Sequence, residues 1–130
     1  MFQYSEKIIL NTNGIHLYEI TDTVAAWIRK NEVSNGLLNI SIQHTSASLL
    51  IQENADPKVL EDLINYFLNS VPFNNEYKHA FEGKDDMPAH IKASLTNSNL
   101  TLSILDNKLC LGTWQGIFLF EHRTSKKLKN

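Results

Sequence analysis

The sequence has a single cysteine, Cys110, so neither an intramolecular disulfide nor a paired-cysteine zinc or redox motif can form. A lone thiol suits a reducing compartment. No stretch approaches the ~18 consecutive apolar residues that a membrane helix requires. The N-terminus also lacks the cationic and apolar regions of an export signal. These absences predict a cytoplasmic protein with no membrane partner.

Positive charge is also scarce, because 12 Lys and Arg oppose 14 Asp and Glu and the net charge is -2. This balance argues against a domain that binds a phosphodiester backbone, so no nucleic-acid partner is expected. Four cations lie in the last eight residues: Arg123, Lys126, Lys127 and Lys129. Charged chain ends are usually solvated, so we interpret this segment as a solvated tail.

Breakers of regular structure are few, and no linker or repeat is visible, so residues 1–130 are interpreted as one domain. Alternating apolar residues and turn signals predict strands over 4–11, 15–17, 38–42, 48–52, 100–104, 108–111 and 116–122. Helical spacing predicts helices over 22–30, from Pro57 to before Pro72, and over 88–95, with Asp56 as the N-cap of the second. Strand pairs with intervening helices predict an α+β fold of mostly antiparallel strands.

The histidines differ in their neighbours. His16 has no acidic or histidine neighbour and is interpreted as structural or exposed. His44 ends an alternating strand and opens a polar run with Thr45 and Ser46, where side chains can reach a cleft at a strand end. The alternative is a turn in which the hydroxyls bond local backbone groups, and both interpretations stay open.

The polar segment 73–87 is long for a loop in a compact domain, and such loops are often functional. It contains His79 and ends with the acidic pair Asp85 and Asp86, and His90 follows on the first turn of the predicted third helix. Histidines with carboxylates are typical zinc ligands, whereas carboxylates alone suit magnesium. The 11-residue separation of His79 and His90 matches no standard metal motif. A metal site is therefore one alternative here.

Two further segments contain polar groups at the ends of predicted strands. Asn54 lies between a strand and a helix N-terminus, a location that favours anions such as phosphate. Trp114 and Gln115 lie in a glycine-containing turn, where the indole is either a core anchor or a stacking platform. Glu121 and His122 are consecutive in the last strand and should point to opposite faces. Cys110, between two leucines, is interpreted as a small core residue.

Six runs resemble the YjbQ family, also called secondary thiamine-phosphate synthase: QHTSAS (43–48), ENADP (53–57), YKH (77–79), EGKDDMPAHIK (82–92), LGTWQGI (111–117) and EHR (121–123). They span essentially the whole chain in the expected order. The resemblance implies a compact α+β subunit, a homotrimer, and a metal or anion site near the subunit boundary. It also implies a weak activity that joins a pyrimidine diphosphate to a thiazole phosphate and releases pyrophosphate.

The resemblance also implies roles for individual residues. The implied metal ligands are His44, His79, His90, Asp85 and Asp86. The implied catalytic groups are His44, Asp56 and Glu121, and the implied groups for substrate or phosphate are Thr45, Ser46, Asn54, Trp114 and Gln115. Relatives usually continue past the EHR run through a glycine-containing turn into a basic final strand. Residues 124–130 do not match that pattern, so no such strand is expected.

Three functions compete at this stage. The leading hypothesis is the thiamine-phosphate-forming transferase, in which the protein holds a metal-pyrophosphate and orients the thiazole nitrogen. Histidine ligands suit zinc better than the magnesium that is usual for pyrophosphate chemistry. A metal-dependent hydrolase of a small phosphorylated metabolite explains the histidines more naturally. A trimer that binds a metal or metabolite without catalysis is the third hypothesis.

Overall fold

The computed structural model describes residues 1–129, the last four by their backbone alone. Within them, three helices and antiparallel strands form the α+β fold that the sequence predicts. In chain order the elements are β1 (Leu10–Asn13), β2 (His16–Glu19), α1 (Thr21–Lys30), β3 (Gly36–Ser41), β4 (Ala47–Glu53), α2 (Pro57–Ser70), α3 (Asp86–Leu95), β5 (Asn99–Leu105), β6 (Lys108–Leu109), β7 (Gln115–Glu121) and β8 (Lys126–Lys129).

Strand β7 lies at the centre of the molecule because it pairs with β2 on one side and β4 on the other. Along β4 and β7 the antiparallel register sets Ala47 opposite Glu121 at one end and Glu53 opposite Gln115 at the other. Strand β5 pairs with β3 and β6, and β1 pairs with β8. The two ends of the β4–β7 pair are where the polar motifs of the sequence lie.

Both faces of β7 are buried, and alternation divides its side chains between two hydrophobic clusters. Ile117 and Leu119 face the larger cluster, which α1 and β3 cover. Phe118 and Phe120 face the smaller cluster, against which α2 packs half-buried apolar side chains, including Phe67. Because both faces are buried, the sequence of β7 is an almost continuous run of apolar residues.

Local signals set several element boundaries as predicted. Helix α2 begins at Pro57, and the Asp56 side chain caps it by accepting a hydrogen bond from the Lys58 backbone N–H at 3.0 Å. The turn between β5 and β6 consists of Asp106 and Asn107, whose φ values of 51° and 62° suit a tight hairpin. No helix in the described part of the chain is long and apolar enough to cross a membrane.

Three predictions about local structure are wrong. Residues 4–9 do not form a strand, because β1 begins only at Leu10 and nothing in residues 1–129 pairs with the segment before it. No final strand was expected after the EHR run, yet Lys126–Lys129 form β8, which pairs with β1 so that Leu10 lies opposite Lys129. Cys110 is exposed, because Leu109 and Leu111 on either side of it pack against the core and alternation turns the thiol outward.

Candidate metal centre

Two histidines and one aspartate meet at the start of α3. Asp86 and His90 are four residues apart on this helix, so their side chains lie on one face. His79 reaches the same carboxylate from the preceding loop. Its Nε2 atom lies 2.6 Å from Asp86 Oδ2, and Nε2 of His90 lies 3.1 Å from the same oxygen. One ligand atom from each residue lies within 4.8 Å of the other two, and we call this group the histidine cluster.

The ring of His90 is fixed by its second nitrogen. Nδ1 of His90 lies 2.9 Å from the backbone carbonyl oxygen of Thr45. A carbonyl only accepts hydrogen bonds, so Nδ1 carries a proton and donates it. In the neutral ring the lone pair then belongs to Nε2, the atom that faces Asp86. Fixing the tautomer in this way is typical of histidines that bind metals.

Arg123 holds the acidic pair from the side opposite the histidines. Its Nε donates to Asp85 Oδ2 at 2.9 Å, and one terminal nitrogen donates to Asp86 Oδ1 at 2.5 Å. The other terminal nitrogen donates to the Glu82 carbonyl at 3.1 Å. Asp86 therefore keeps Oδ2 for the two histidines. Asp85 instead accepts hydrogen bonds from the backbone N–H and the hydroxyl of Thr124. These bonds connect Asp85 to the segment that follows β7.

The charges of this region follow from these contacts. Burial raises the pKa of Asp85, but hydrogen bonds from Thr124 and Arg123 outweigh that effect and lower it to about 2. Burial likewise raises the pKa of Asp86, and the hydrogen bond with His79 leads the effects that lower it below its usual range. Both carboxylates are therefore ionised at neutral pH. Burial lowers the pKa of Arg123, but the hydrogen bond and the negative charge of Asp85 outweigh this effect and raise the pKa above its usual value.

A buried lysine lies behind the acidic pair on the inner face of α3. Lys92 is only 1% exposed, and its Nζ atom lies 5.4 Å from the centroid of the Phe73 ring. Burial lowers the pKa of Lys92, and the negative charge of Asp85 opposes that shift. The aromatic ring offsets part of the cost of burying the ammonium. Lys92 is thus close enough to Asp85 for the carboxylate to favour its protonated form.

Four of the predicted site residues lie far from the histidine cluster. Asn54, Asp56, Trp114 and Gln115 belong to the end of the β4–β7 pair where Glu53 lies opposite Gln115. The cluster belongs to the other end, next to Thr45 and Arg123. Six residue steps along a strand separate the two ends by about 20 Å at ~3.4 Å per residue. We call them the histidine end and the tryptophan end.

At the tryptophan end these side chains bond to nearby structure. Gln115 Oε1 accepts a hydrogen bond from the Gly112 N–H at 2.7 Å, and Asn54 Nδ2 donates to Glu19 Oε2 at 3.0 Å. A Cβ atom at Gly116 would lie 2.6 Å from that glutamate oxygen, so a larger residue there would require the Glu19 side chain to shift. Trp114 is 63% exposed, which leaves its ring open to solvent.

The remaining predicted residues lie at the histidine end but outside the cluster. His44 and Ser46 are half-buried on either side of Thr45, and His44 is not a member of the three-residue group. Glu121 is fully buried and accepts hydrogen bonds from Thr12 Oγ1 at 2.8 Å and from the Arg123 N–H at 3.0 Å. Its contacts therefore join β7 to β1.

Sequence reasoning missed the function of Arg123, which it assigned to a charged tail. No local spacing indicates that Arg123 meets an acidic pair 38 and 37 residues earlier in the chain. Sequence reasoning also considered the spacing between His79 and His90 but not the spacing between Asp86 and His90. The four-residue spacing of Asp86 and His90 was visible, but it becomes meaningful only when the helix begins at Asp86, two residues before the predicted start.

Comparison with known proteins gives consistent matches over nearly the whole chain. The family model described as "UPF0047 protein YjbQ-like" matches residues 6–129. The chain is 45% identical to UPF0047 protein sll1880 of Synechocystis over 122 residues, which cover 93% of this chain and 83% of the relative. It is 48% identical to UPF0047 protein YjbQ of Salmonella typhimurium over 124 residues, which cover 92% and 88%.

Solved structures match equally well. The crystal structure of an uncharacterized yjbq/upf0047 family protein from Clostridium acetobutylicum has a TM-score of 0.85 and 34% identity, with 95% of this chain and 97% of that chain covered. The conserved hypothetical protein TT1486 from Thermus thermophilus has a TM-score of 0.81 and 29% identity, with the same coverage. The printed names of these proteins state no activity.

Proposed function

The chain belongs to the UPF0047 family of YjbQ-like proteins, and from that premise we propose that it is a metal-dependent enzyme acting on a small phosphorylated metabolite. The observation that carries the proposal is the convergence of the His79 and His90 Nε2 atoms on one oxygen of Asp86. Two imidazole donors aimed at one carboxylate oxygen leave a common point where a cation fits.

The donor set favours an ion of the zinc type over magnesium. Zinc accepts imidazole nitrogen and carboxylate oxygen, whereas magnesium prefers oxygen ligands and keeps several waters. Three protein ligands also leave a position open, as in catalytic zinc sites. A zinc-like ion held by His79, His90 and Asp86 would supply Lewis-acid activation of a water molecule and of a phosphoryl oxygen.

The chain's own residues prepare the centre. Arg123 fixes Asp86 so that one carboxylate oxygen faces the histidines, and the Thr45 carbonyl fixes the tautomer of His90. Positioning of this kind keeps ligands ordered before a substrate arrives. The guanidinium already donates to Asp85, Asp86 and the Glu82 carbonyl, so we do not assign it to phosphate binding.

Hydrolysis of a phosphate ester or amide is the reaction that this donor set supports best, because a zinc-type centre held here would activate the water that such a reaction consumes. The second candidate is the thiamine-phosphate-forming transfer implied by the family resemblance. The exposed ring of Trp114 favours it, since a planar pyrimidine or thiazole can stack there. In one chain that ring lies at the opposite end of the β4–β7 pair from the histidine cluster.

We further propose the homotrimer that the resemblance implies. Large apolar side chains are exposed on the segment before β1 and on the edge strand β3, namely Met1, Phe2, Tyr4, Ile9 and Leu37. A second copy would remove this surface from water, and a closed ring requires head-to-tail interfaces of this unsymmetrical kind. Light scattering should give three times the 14.8 kDa chain mass, and a monomer at micromolar concentration would contradict the trimer.

One experiment compares the candidate reactions directly. Protein loaded with Zn²⁺ is assayed for phosphate release on a panel of small phosphate esters and for thiamine phosphate formation. We expect phosphate release from the wild type and from Trp114→Ala, and its loss in His79→Ala. Thiamine phosphate formation that needs Trp114 would favour the transferase, and activity retained in His79→Ala would contradict the metal centre.

A further inference from the structure

We propose that Glu82 is a fourth, exchangeable ligand of this centre, which holds the open coordination position until an anion such as phosphate displaces it. The inference rests on the proposed metal centre and adds to it a competition between a protein carboxylate and the substrate anion. Glu82 lies outside the set of residues that the sequence assigned to the site.

The Glu82 carboxylate lies beside the cluster without being part of its tight group. Its Oε2 atom lies 3.5 Å from Nε2 of His79. It is also close enough to Asp86 to contribute to the lowered pKa of that aspartate. The Glu82 side chain is 54% exposed, whereas that of Asp86 is 3% exposed. A solvated carboxylate at this distance reaches a bound cation with a small change of rotamer and leaves again at little cost.

The backbone at Glu82 is held by hydrogen bonding, although its side chain is more than half exposed. Its carbonyl accepts a hydrogen bond from Arg123 at 3.1 Å. The next residue, Gly83, has φ +113°, a conformation that favours glycine, and a Cβ there would lie 3.0 Å from Asp85 Oδ1. The turn thus holds the backbone of a residue whose exposed carboxylate lies 3.5 Å from Nε2 of His79. An anchored backbone with a solvent-exposed carboxylate is the arrangement that an exchangeable ligand needs.

Chemistry makes the exchange selective for anions. Asp86 and Glu82 together would offset the two charges of a divalent cation, so an incoming phosphate would compete with the exposed Glu82 carboxylate for the cation. The step is a ligand substitution: the bond from the cation to the Glu82 oxygen breaks and a bond to a phosphate oxygen forms, with no change of oxidation state. Neutral ligands gain nothing from this exchange.

The test uses Co²⁺ as the probe, because its visible absorption reports coordination number and ligand type. Wild type, Glu82→Gln and Glu76→Gln are titrated with Co²⁺ and then with inorganic phosphate. Glu76 is exposed in the same loop and serves as the matched control. We expect Glu82→Gln to show a changed Co²⁺ spectrum and to bind phosphate roughly tenfold more tightly, a difference of ~1.4 kcal/mol. Glu76→Gln should match the wild type.

The outcomes separate this inference from the proposed function. If the wild type does not bind Co²⁺, the proposed metal centre itself is wrong. If all three proteins bind Co²⁺ with the same spectrum and the same phosphate affinity, the centre stands and the inference about Glu82 is overturned. Complete loss of Co²⁺ or of the folded state in Glu82→Gln also overturns it, because an exchangeable, exposed ligand should be dispensable for both.

Discussion

The histidine end and the tryptophan end of the β4–β7 pair contain equally specific sequence motifs but differ in how their side chains are held. At the histidine end, buried charges join distant segments: Arg123 meets Asp86 across 37 positions and His90 meets Thr45 across 45. At the tryptophan end the polar side chains are exposed. The bonds of Gln115 and Asp56 reach only two or three residues away, and Asn54 donates to Glu19 across 35 positions.

The comparison distinguishes motifs with a structural role from a cluster that has no evident structural role. Asp56 caps a helix and Gly116 permits a close approach to Glu19, so both motifs have sufficient structural reasons to exist. The histidine cluster has no such reason, because two imidazoles and a buried carboxylate stabilise the fold less than apolar side chains of similar size would. The motifs at the two ends are equally specific to the family, but those at the tryptophan end have structural roles, whereas the histidine cluster is the candidate for a chemical role.

The largest expected effect comes from Arg123→Met at the histidine end. The change leaves Asp85 and Asp86 buried without their cation, and breaking a buried ion pair costs about 3–5 kcal/mol. Urea denaturation at pH 7 measures the loss. Trp114→Ala is the control from the other end and should change stability by less than about 0.5 kcal/mol, since the ring is exposed. Equal losses of unfolding free energy in the two variants would contradict the proposed difference between the two ends.

Next in size is the effect of His90→Ala on metal binding. Loss of a direct ligand should weaken Zn²⁺ binding by more than the roughly 10- to 100-fold that loss of a supporting residue costs. Isothermal titration calorimetry measures the affinity, and a melting curve checks that the fold is intact. Asn54→Ala should bind Zn²⁺ as the wild type does. A folded His90→Ala protein with undiminished affinity would remove His90 from the ligands.

Acid should act selectively on the histidine end through Asp85. The pKa of Asp85 falls from 3.8 to about 2 on folding, so its ionised form stabilises the protein by about 2 kcal/mol above pH 4. This contribution is lost as pH falls from 4 towards 2. The advantage of wild type over Asp85→Asn in urea midpoints should therefore shrink across that range. An advantage that stays constant to pH 2 would show that ionised Asp85 is not what Arg123 and Thr124 stabilise.

The smallest expected effect comes from Asp56→Ala at the tryptophan end. Loss of a helix cap costs about 1 kcal/mol, and Zn²⁺ affinity should not change. Chemical denaturation and calorimetry on the same preparation give both numbers. A changed affinity would mean that the two ends are coupled, which is contrary to their separation along β4 and β7.

The sequence predicted correctly those features of the fold that depend on residues close together in the chain. The Asp56 cap, the Asp106–Asn107 turn and the apolar run of β7 were readable because each depends on a few neighbouring residues. Strand β8 was missed because its partner β1 lies more than a hundred residues earlier, and charge alone suggested a solvated tail. The segment 4–9 contains residue types that are common in strands, but residue type alone provides no partner strand.

The candidate site was predictable in part for the same reason. Residue types and the family resemblance selected His79, Asp86 and His90 as possible metal ligands, but they also selected Asp85, which in the fold bonds to Arg123 and Thr124. Two adjacent aspartates look alike in a sequence. They differ only after the helix start and the position of Arg123 are known, and those depend on tertiary contacts.

The most direct test is an anomalous difference map of crystals grown with Zn²⁺ and without chelator. The account predicts one strong peak per chain within ~2.0–2.2 Å of Nε2 of His79, Nε2 of His90 and an Asp86 oxygen. A peak among the acidic side chains of the tryptophan end, such as Glu19 and Asp56, with none at the histidine cluster, would contradict it.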